Sequence, residues 1–123
     1  SDLFLVVVDR ETGKIAGFLN GLATDREHLT DDFFADANLH DPEGVNIMLL
    51  GLDVLPEYQH QGLARKLMEQ YKERERARGR KKLILTCLPD KVEMYKKFGF
   101  KDHGIGDSVW GGEAWHEMDS ILN

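Results

Sequence analysis

The chain has 123 residues, 41% of them hydrophobic and 31% charged, with a formal net charge of −6. That length fits one domain with a real core, and the balance is that of an ordinary globular protein. The negative charge disfavours non-specific nucleic-acid binding, which depends on neutralising phosphates, and weakly favours cationic partners such as amines. Cys87 is the only cysteine, so an intramolecular disulfide is excluded and a reducing, cytoplasmic compartment fits. The apolar run Leu3 to Val8 is far too short to span a bilayer, and it lacks the flanks of a signal peptide.

In chain order, Leu3 to Asp9 is rich in valine and leucine and reads as a buried strand. Arg10-Glu11-Thr12-Gly13 is a turn signal, and Lys14 to Ala23 reads as the second strand of an antiparallel hairpin. Thr30 is placed to cap a short helix through Ala35, with Asp31 and Asp32 in its first turn. His40 to Gly44 is loop chemistry, and Val45 to Leu55 is an almost continuous apolar strand that Pro56 ends. Leu63, Leu67, Met68 and Tyr71 recur at helical spacing, which predicts an amphipathic helix from Gly62 to about Arg78, with Gly79 after its end. Leu83 to Leu88 follows as a strand, Pro89-Asp90 opens a short helix that Gly99 stops, and Phe100 to His103 and Glu113 to Leu122 read as strands. Gly104, Gly106, Gly111 and Gly112 mark the turn between them. The order predicts a mixed α/β domain spanning residues 1–123. Ser1 falls inside what already reads as a strand, so a missing leading segment is expected.

The segment Pro56-Glu57-Tyr58-Gln59-His60-Gln61-Gly62-Leu63-Ala64 joins a strand to a helix. A glycine-bearing turn that opens a helix leaves backbone N–H groups aimed at one spot, where the helix dipole favours negative charge. Gly62 would let a ligand approach the backbone, Ala64 would keep the first turn clear, and Arg65 and Lys66 would add positive charge. The pattern suits a pyrophosphate. It is neither a Walker A loop nor a three-glycine dinucleotide fingerprint, and most turns of this kind merely connect elements.

Gln59-x-x-Gly62-x-Ala64 resembles the Q/R-x-x-G-x-G/A motif of the GNAT superfamily of N-acetyltransferases. Leu52-Asp53-Val54-Leu55-Pro56 is similar to that family's strand lead-in, and Met94 to Phe100 resembles its second signature, a tyrosine followed by Gly-Phe. Asp25 to Thr30 resembles a loop of the arylalkylamine (serotonin) N-acetyltransferase branch. The likeness runs from about Leu3 to Leu122, and the family's first strand and following helices have no counterpart in it. The fold it implies is a mostly antiparallel central sheet with flanking helices.

The resemblance also implies roles. Acetyl-CoA would be the cosubstrate, with no metal. Its pantetheine would bond main-chain groups of Leu52, Asp53 and Val54, and its pyrophosphate the amides of His60, Gln61, Gly62, Leu63, Ala64 and Arg65, next to Gln59. Tyr95 would be the general acid, since a phenol near pKa 10 is protonated at neutral pH and can donate to a departing thiolate. A half-buried core tyrosine is the commoner use of such a residue, and only the motif prefers Tyr95 to Tyr58 or Tyr71. The acceptor would be a small-molecule amine, of arylalkylamine or polyamine type. The branch's two base histidines align with Met48 and Leu50, which take no proton. His28, His40, Glu43 and Asp53 could act through water, and spacing singles out none of them. Pairing of subunits through a C-terminal strand such as Glu113 to Leu122 would make a homodimer.

Other residues carry plainer readings. Cys87 reads as a small core residue, and no histidine lies at a motif-like spacing from it. His103 and His116 read as isolated surface or edge residues without a metal pattern. Trp110 and Trp115 could line an amine pocket or pack elsewhere, and Phe33 and Phe34 could form a lid or a local staple. Three further functions stay open at this point: a protein or peptide N-acetyltransferase, a non-catalytic acyl-CoA sensor, and a purely structural α/β domain.

Overall fold

The computed structural model describes residues 3–28, 40–107 and 109–122, and only the backbone of Trp110. The helix expected from Thr30 to Ala35, with Phe33 and Phe34, lies outside the described residues. The strand-forming runs fold into β1 (Phe4–Val8), β2 (Ile15–Thr24), β3 (Asn46–Val54), β4 (Lys82–Cys87), β5 (Lys101–Ile105) and β6 (His116–Ile121). They form one six-stranded sheet in the order β1-β2-β3-β4-β6-β5. Every neighbouring pair is antiparallel except β3 and β4. The two α-helices among the described residues are α1 (Leu63–Ala77) and α2 (Val92–Lys97). This is the mixed α/β architecture that the chain order predicts, with the mostly antiparallel sheet that the resemblance implies.

Both helices cover one face of the sheet. Leu67, Met68 and Tyr71 recur on one stripe of α1 and are buried against Leu19, Ile47, Leu49, Leu83 and Leu85, with Val92 of α2 in the same cluster. Each such side chain contributes about 2 kcal/mol on leaving water. The Tyr71 hydroxyl donates to the Leu3 carbonyl at 2.9 Å, which ties β1 to the helix. Glu75 is fully buried at the end of α1 among Arg74 (3.2 Å), Arg78 (2.9 Å) and Arg80 (3.2 Å). Arg80 also donates to the carbonyl of Gly44, so the helix end is fixed to the loop that precedes β3.

One expectation is corrected. The first strand is not buried: among the described strands β1 is a sheet edge, and Phe4, Val6 and Val8 stay exposed on one of its faces. β6 lies between β4 and β5. No described helix is long and apolar enough to cross a membrane.

Two irregularities open the middle of the sheet. The β2–β3 register passes from Asn20↔Gly51 to Gly21↔Leu49, so Leu50 is an extra residue that bends β3. The parallel β3–β4 pairing ends at Met48↔Ile84, although β3 continues to Val54 and β4 to Cys87. Beyond that point the two strands diverge.

Candidate active site

A cleft of about 530 Å3 lies at the divergence of β3 and β4. Leu52, Asp53 and Val54 line one wall and Thr86, Cys87 and Leu88 the other, with Gln59, His60, Ala64, Met94, Tyr95 and Trp115 around the mouth. The strands no longer pair there, so their facing edges are without ladder partners among the described residues. Such an edge presents main-chain donors and acceptors to any extended molecule laid between the strands.

The loop after β3 closes one end of the cleft. Pro56 opens a 3-10 turn, Pro56–Tyr58, and the chain then reverses through two left-handed residues, His60 (φ 64°) and Gly62 (φ 78°). Among the described residues, the amides of His60, Gln61, Gly62, Leu63, Ala64 and Arg65 donate to no protein acceptor, and the first donation in this stretch is Lys66 N–H to the Gly62 carbonyl. These amides and the N-terminal end of α1 concentrate positive potential on one spot. Gly62, Leu63, Ala64 and Arg65 line an adjoining hollow of about 200 Å3 with Phe98.

A Cβ on Gly62 would meet no protein atom within 4 Å, and its positive φ favours glycine there. The sequence reading of this loop needs one correction: Arg65 is not free at the loop. Its Nη1 donates to the Lys97 carbonyl at 3.3 Å and its guanidinium stacks 5.3 Å from the centre of the Phe98 ring. Lys91 at the cleft mouth is a cation that the sequence did not single out.

The three tyrosines separate by their hydroxyls. Tyr58 donates to Asp9 at 2.7 Å and Tyr71 to Leu3, whereas the Tyr95 hydroxyl has no hydrogen-bond partner among the described residues. α2 directs Tyr95 into the cleft, where Phe98 and Phe100 hold its ring edge-on at 6.1 and 5.7 Å. Burial, with a smaller contribution from Cys87, pushes its pKa up to about 12. The phenol is therefore protonated at any ordinary pH.

Cys87 is buried in the cleft wall, as a core residue should be, yet it stands opposite His116 in the β4–β6 ladder. The Nδ1 of His116 lies 3.0 Å from Asp102, and His103 Nε2 lies 2.9 Å from Asp119, so neither histidine is isolated. Burial pushes the Cys87 thiol up to about 11, and its sulfur donates to Met118 at 3.6 Å. A thiol so protected is a wall and not a nucleophile. The proton-acceptor candidates also separate. His40 Nδ1 accepts the Ala23 N–H at 3.1 Å, which makes it a structural residue. Glu43 sits in an exposed turn and Asp53 lines the cleft. His28 Nδ1 lies 2.8 Å from the Glu117 carboxylate, a contact between the chain just after β2 and β6 that linear spacing conceals.

Comparison with known proteins fits this geometry. The family model described as acetyltransferase (GNAT) domain matches residues 1–102. The chain belongs to the GNAT acetyltransferase family. Among solved structures, this GNAT domain is similar to the loading GNATL domain of CurA from Lyngbya majuscula, with a TM-score of 0.80 at 17% identity over 98% of this chain and 77% of that one. Nourseothricin acetyltransferase matches with a TM-score of 0.69 at 20% identity over 98% of this chain and 65% of its own. The GNAT-family N-acetyltransferase YhbS from Escherichia coli, solved in complex with CoA, matches with a TM-score of 0.67 at 23% identity over 98% and 58%. These identities show a shared fold, and the GNAT chain spans less than two thirds of the length of nourseothricin acetyltransferase and of YhbS. None of the curated proteins matches the sequence.

Proposed function

We propose that this GNAT domain moves an acetyl group from acetyl-CoA to the primary amine of a small molecule, of arylalkylamine or polyamine type. The observation that carries the reading is the run of undonated amides from His60 to Arg65 at one end of the strand divergence, with Tyr95 lining the same cleft. The residues fit the cosubstrate. The amides supply donors to a pyrophosphate, and the unpaired edges of β3 and β4 supply main-chain partners to the amides of pantetheine.

Acetyl-CoA brings an activated thioester, and the protein's share is to bind, orient and handle charge. Gln59 holds the loop in register, and Leu52 to Val54 and Thr86 to Leu88 form the two walls. Tyr95 donates a hydrogen bond to the sulfur as charge develops there. Burial keeps the Tyr95 phenol protonated, so it is available as the general acid that donates to the departing sulfur.

A second reading, an acyl-CoA sensor on the same fold, rests on Met48 and Leu50. They occupy the aligned positions of the base histidines of the arylalkylamine branch and form an apolar cluster with Ile84. One experiment separates the readings: release of free CoA thiol with aromatic amines, polyamines and lysine peptides, beside calorimetric titration of acetyl-CoA. Turnover with small amines is expected. Binding without any turnover would leave the sensor, and absence of binding would remove both.

A further inference from the structure

The sheet face turned away from α1 and α2 carries a second group of ionisable side chains, beside the cleft. Along β4, Leu83, Leu85 and Cys87 belong to the helix-side core, while Ile84 packs with Met48 on the opposite face, so Thr86 also points to that face. Glu117 is the register partner of Thr86 and shares its face, with Cβ atoms about 5 Å apart in such a pair. Thr86 lines the cleft, so Glu117 stands one strand away from where the thioester would lie. Glu117, His28, His103 and Asp107 border a hollow of about 250 Å3. The β5–β6 loop borders both spaces: the N–H of Gly106, which lines the hollow, donates to the carbonyl of Trp115, which lines the cleft, at 2.9 Å.

We infer that His28, oriented by Glu117, is the base that takes the proton from an acceptor amine arriving on this face. The inference rests on the acetyltransferase reading above and names the acceptor side of the same site. An ionised carboxylate only accepts, so the 2.8 Å contact places the ring proton on Nδ1 and leaves Nε2 with its lone pair. The N–H bond of the ammonium breaks, its electron pair stays on nitrogen for attack on the carbonyl, and Nε2 gains the proton. The His28 side chain is 69% exposed, which lets it pass that proton to solvent.

The surrounding charges agree with this role. Glu117 raises the His28 pKa through the hydrogen bond first and its charge second; Asp107 adds to the rise, and Lys82 of β4 opposes it. Lys82 itself lies 2.8 Å from Glu27 and 3.7 Å from Asp119 of β6, and Asp119 also meets His103 of β5 at 2.9 Å. The carboxylates about this face, Glu27, Asp107, Glu117 and Asp119, outnumber its lysines, Lys82 and Lys101, which favours a cationic amine over a neutral or acidic acceptor.

The test pairs a kinetic readout with one that needs no turnover. In pH profiles of kcat/KM, His28→Gln is expected to lower the plateau about 100-fold and remove the ascending limb. Glu117→Gln is expected to keep that limb and move it to lower pH. Acetyl-CoA affinity should stay within about twofold in both variants. In parallel, the His28 ring is titrated by NMR with tryptamine and spermidine as probes. A saturable shift of the ring signals, kept in Glu117→Gln with the ring titrating at lower pH, supports the inference. An unmoved ring, or an unchanged pH limb in His28→Gln, overturns it. Should wild type bind no acetyl-CoA, the acetyltransferase reading falls while the ring titration still decides whether amines meet His28.

Discussion

The side-chain amide of Gln59 donates to the Val54 carbonyl at 2.9 Å, tying the amide-bearing loop back onto the strand that lines the cleft. Gln59→Ala removes one hydrogen bond of about 1 kcal/mol and leaves every loop amide in place. Acetyl-CoA should bind about fivefold more weakly, with kcat within about twofold of wild type. Gln59→Glu should bind more weakly still, because a carboxylate cannot donate to Val54 and repels an anion. Calorimetry on both variants checks this, and equal affinities would detach Gln59 from the loop geometry.

Gly62 precedes α1 at φ 78° with open space where a Cβ would stand. Gly62→Ala therefore isolates backbone strain, about 1–2 kcal/mol in the left-handed region. The urea midpoint should fall, and acetyl-CoA affinity should fall with it as the loop relaxes. An unfolding midpoint equal to that of wild type would show that the loop tolerates a second conformation.

Tyr95→Phe keeps the ring packed against Phe98 and Phe100 and removes only the hydroxyl. Turnover should drop by roughly 10- to 100-fold while acetyl-CoA affinity changes less than about twofold. The raised phenol pKa also predicts that kcat shows no loss from Tyr95 ionisation up to about pH 10, well below its value of about 12. Unchanged turnover in the variant would remove Tyr95 from the chemistry.

Glu75 is a buried carboxylate that gathers Arg74, Arg78 and Arg80, whose side chains keep partial access to solvent. Glu75→Ala removes their shared acceptor and is expected to cost about 2–3 kcal/mol of stability. Chemical denaturation measures the loss. A cost below about 1 kcal/mol would mean that solvent replaces the carboxylate for the arginines.

Asp102 supplies a pH prediction. The Gly104 amide, and then His116, hold its pKa below the ordinary aspartate value of 3.8. Because the folded value is the lower one, the stabilisation is fully present above about pH 4 and is lost as pH falls through the folded pKa. Melting temperature should decline below pH 4 in wild type, and the decline should be shallower in Asp102→Asn. Parallel acid declines in the two proteins would contradict the assignment.

The elements were largely legible in the sequence because their signals are local. The stripe of Leu67, Met68 and Tyr71 writes α1 directly, and Pro56, Gly62 and Gly99 punctuate elements where the backbone requires it. β1 was misread as buried because a valine run looks the same on an edge as in the middle of a sheet, and only the strand order distinguishes them. The turn chemistry of the loop Gln59 to Ala64 was legible for the same local reason, whereas the binding of Arg65 to Lys97 and Phe98 depends on α2, thirty-odd residues later.

By itself, the sequence determined the fold class, since periodicity and turn chemistry act over a few residues, and it marked the loop and Tyr95 through motif spacing alone. Only the tertiary structure decided that Tyr58 and Tyr71 donate to Asp9 and Leu3 while Tyr95 lines the cleft, that β3 and β4 part after Met48 and Ile84, and that His28 meets Glu117. Those relations join residues as many as 89 positions apart, and they exist because tertiary packing, not chain distance, sets which side chains touch.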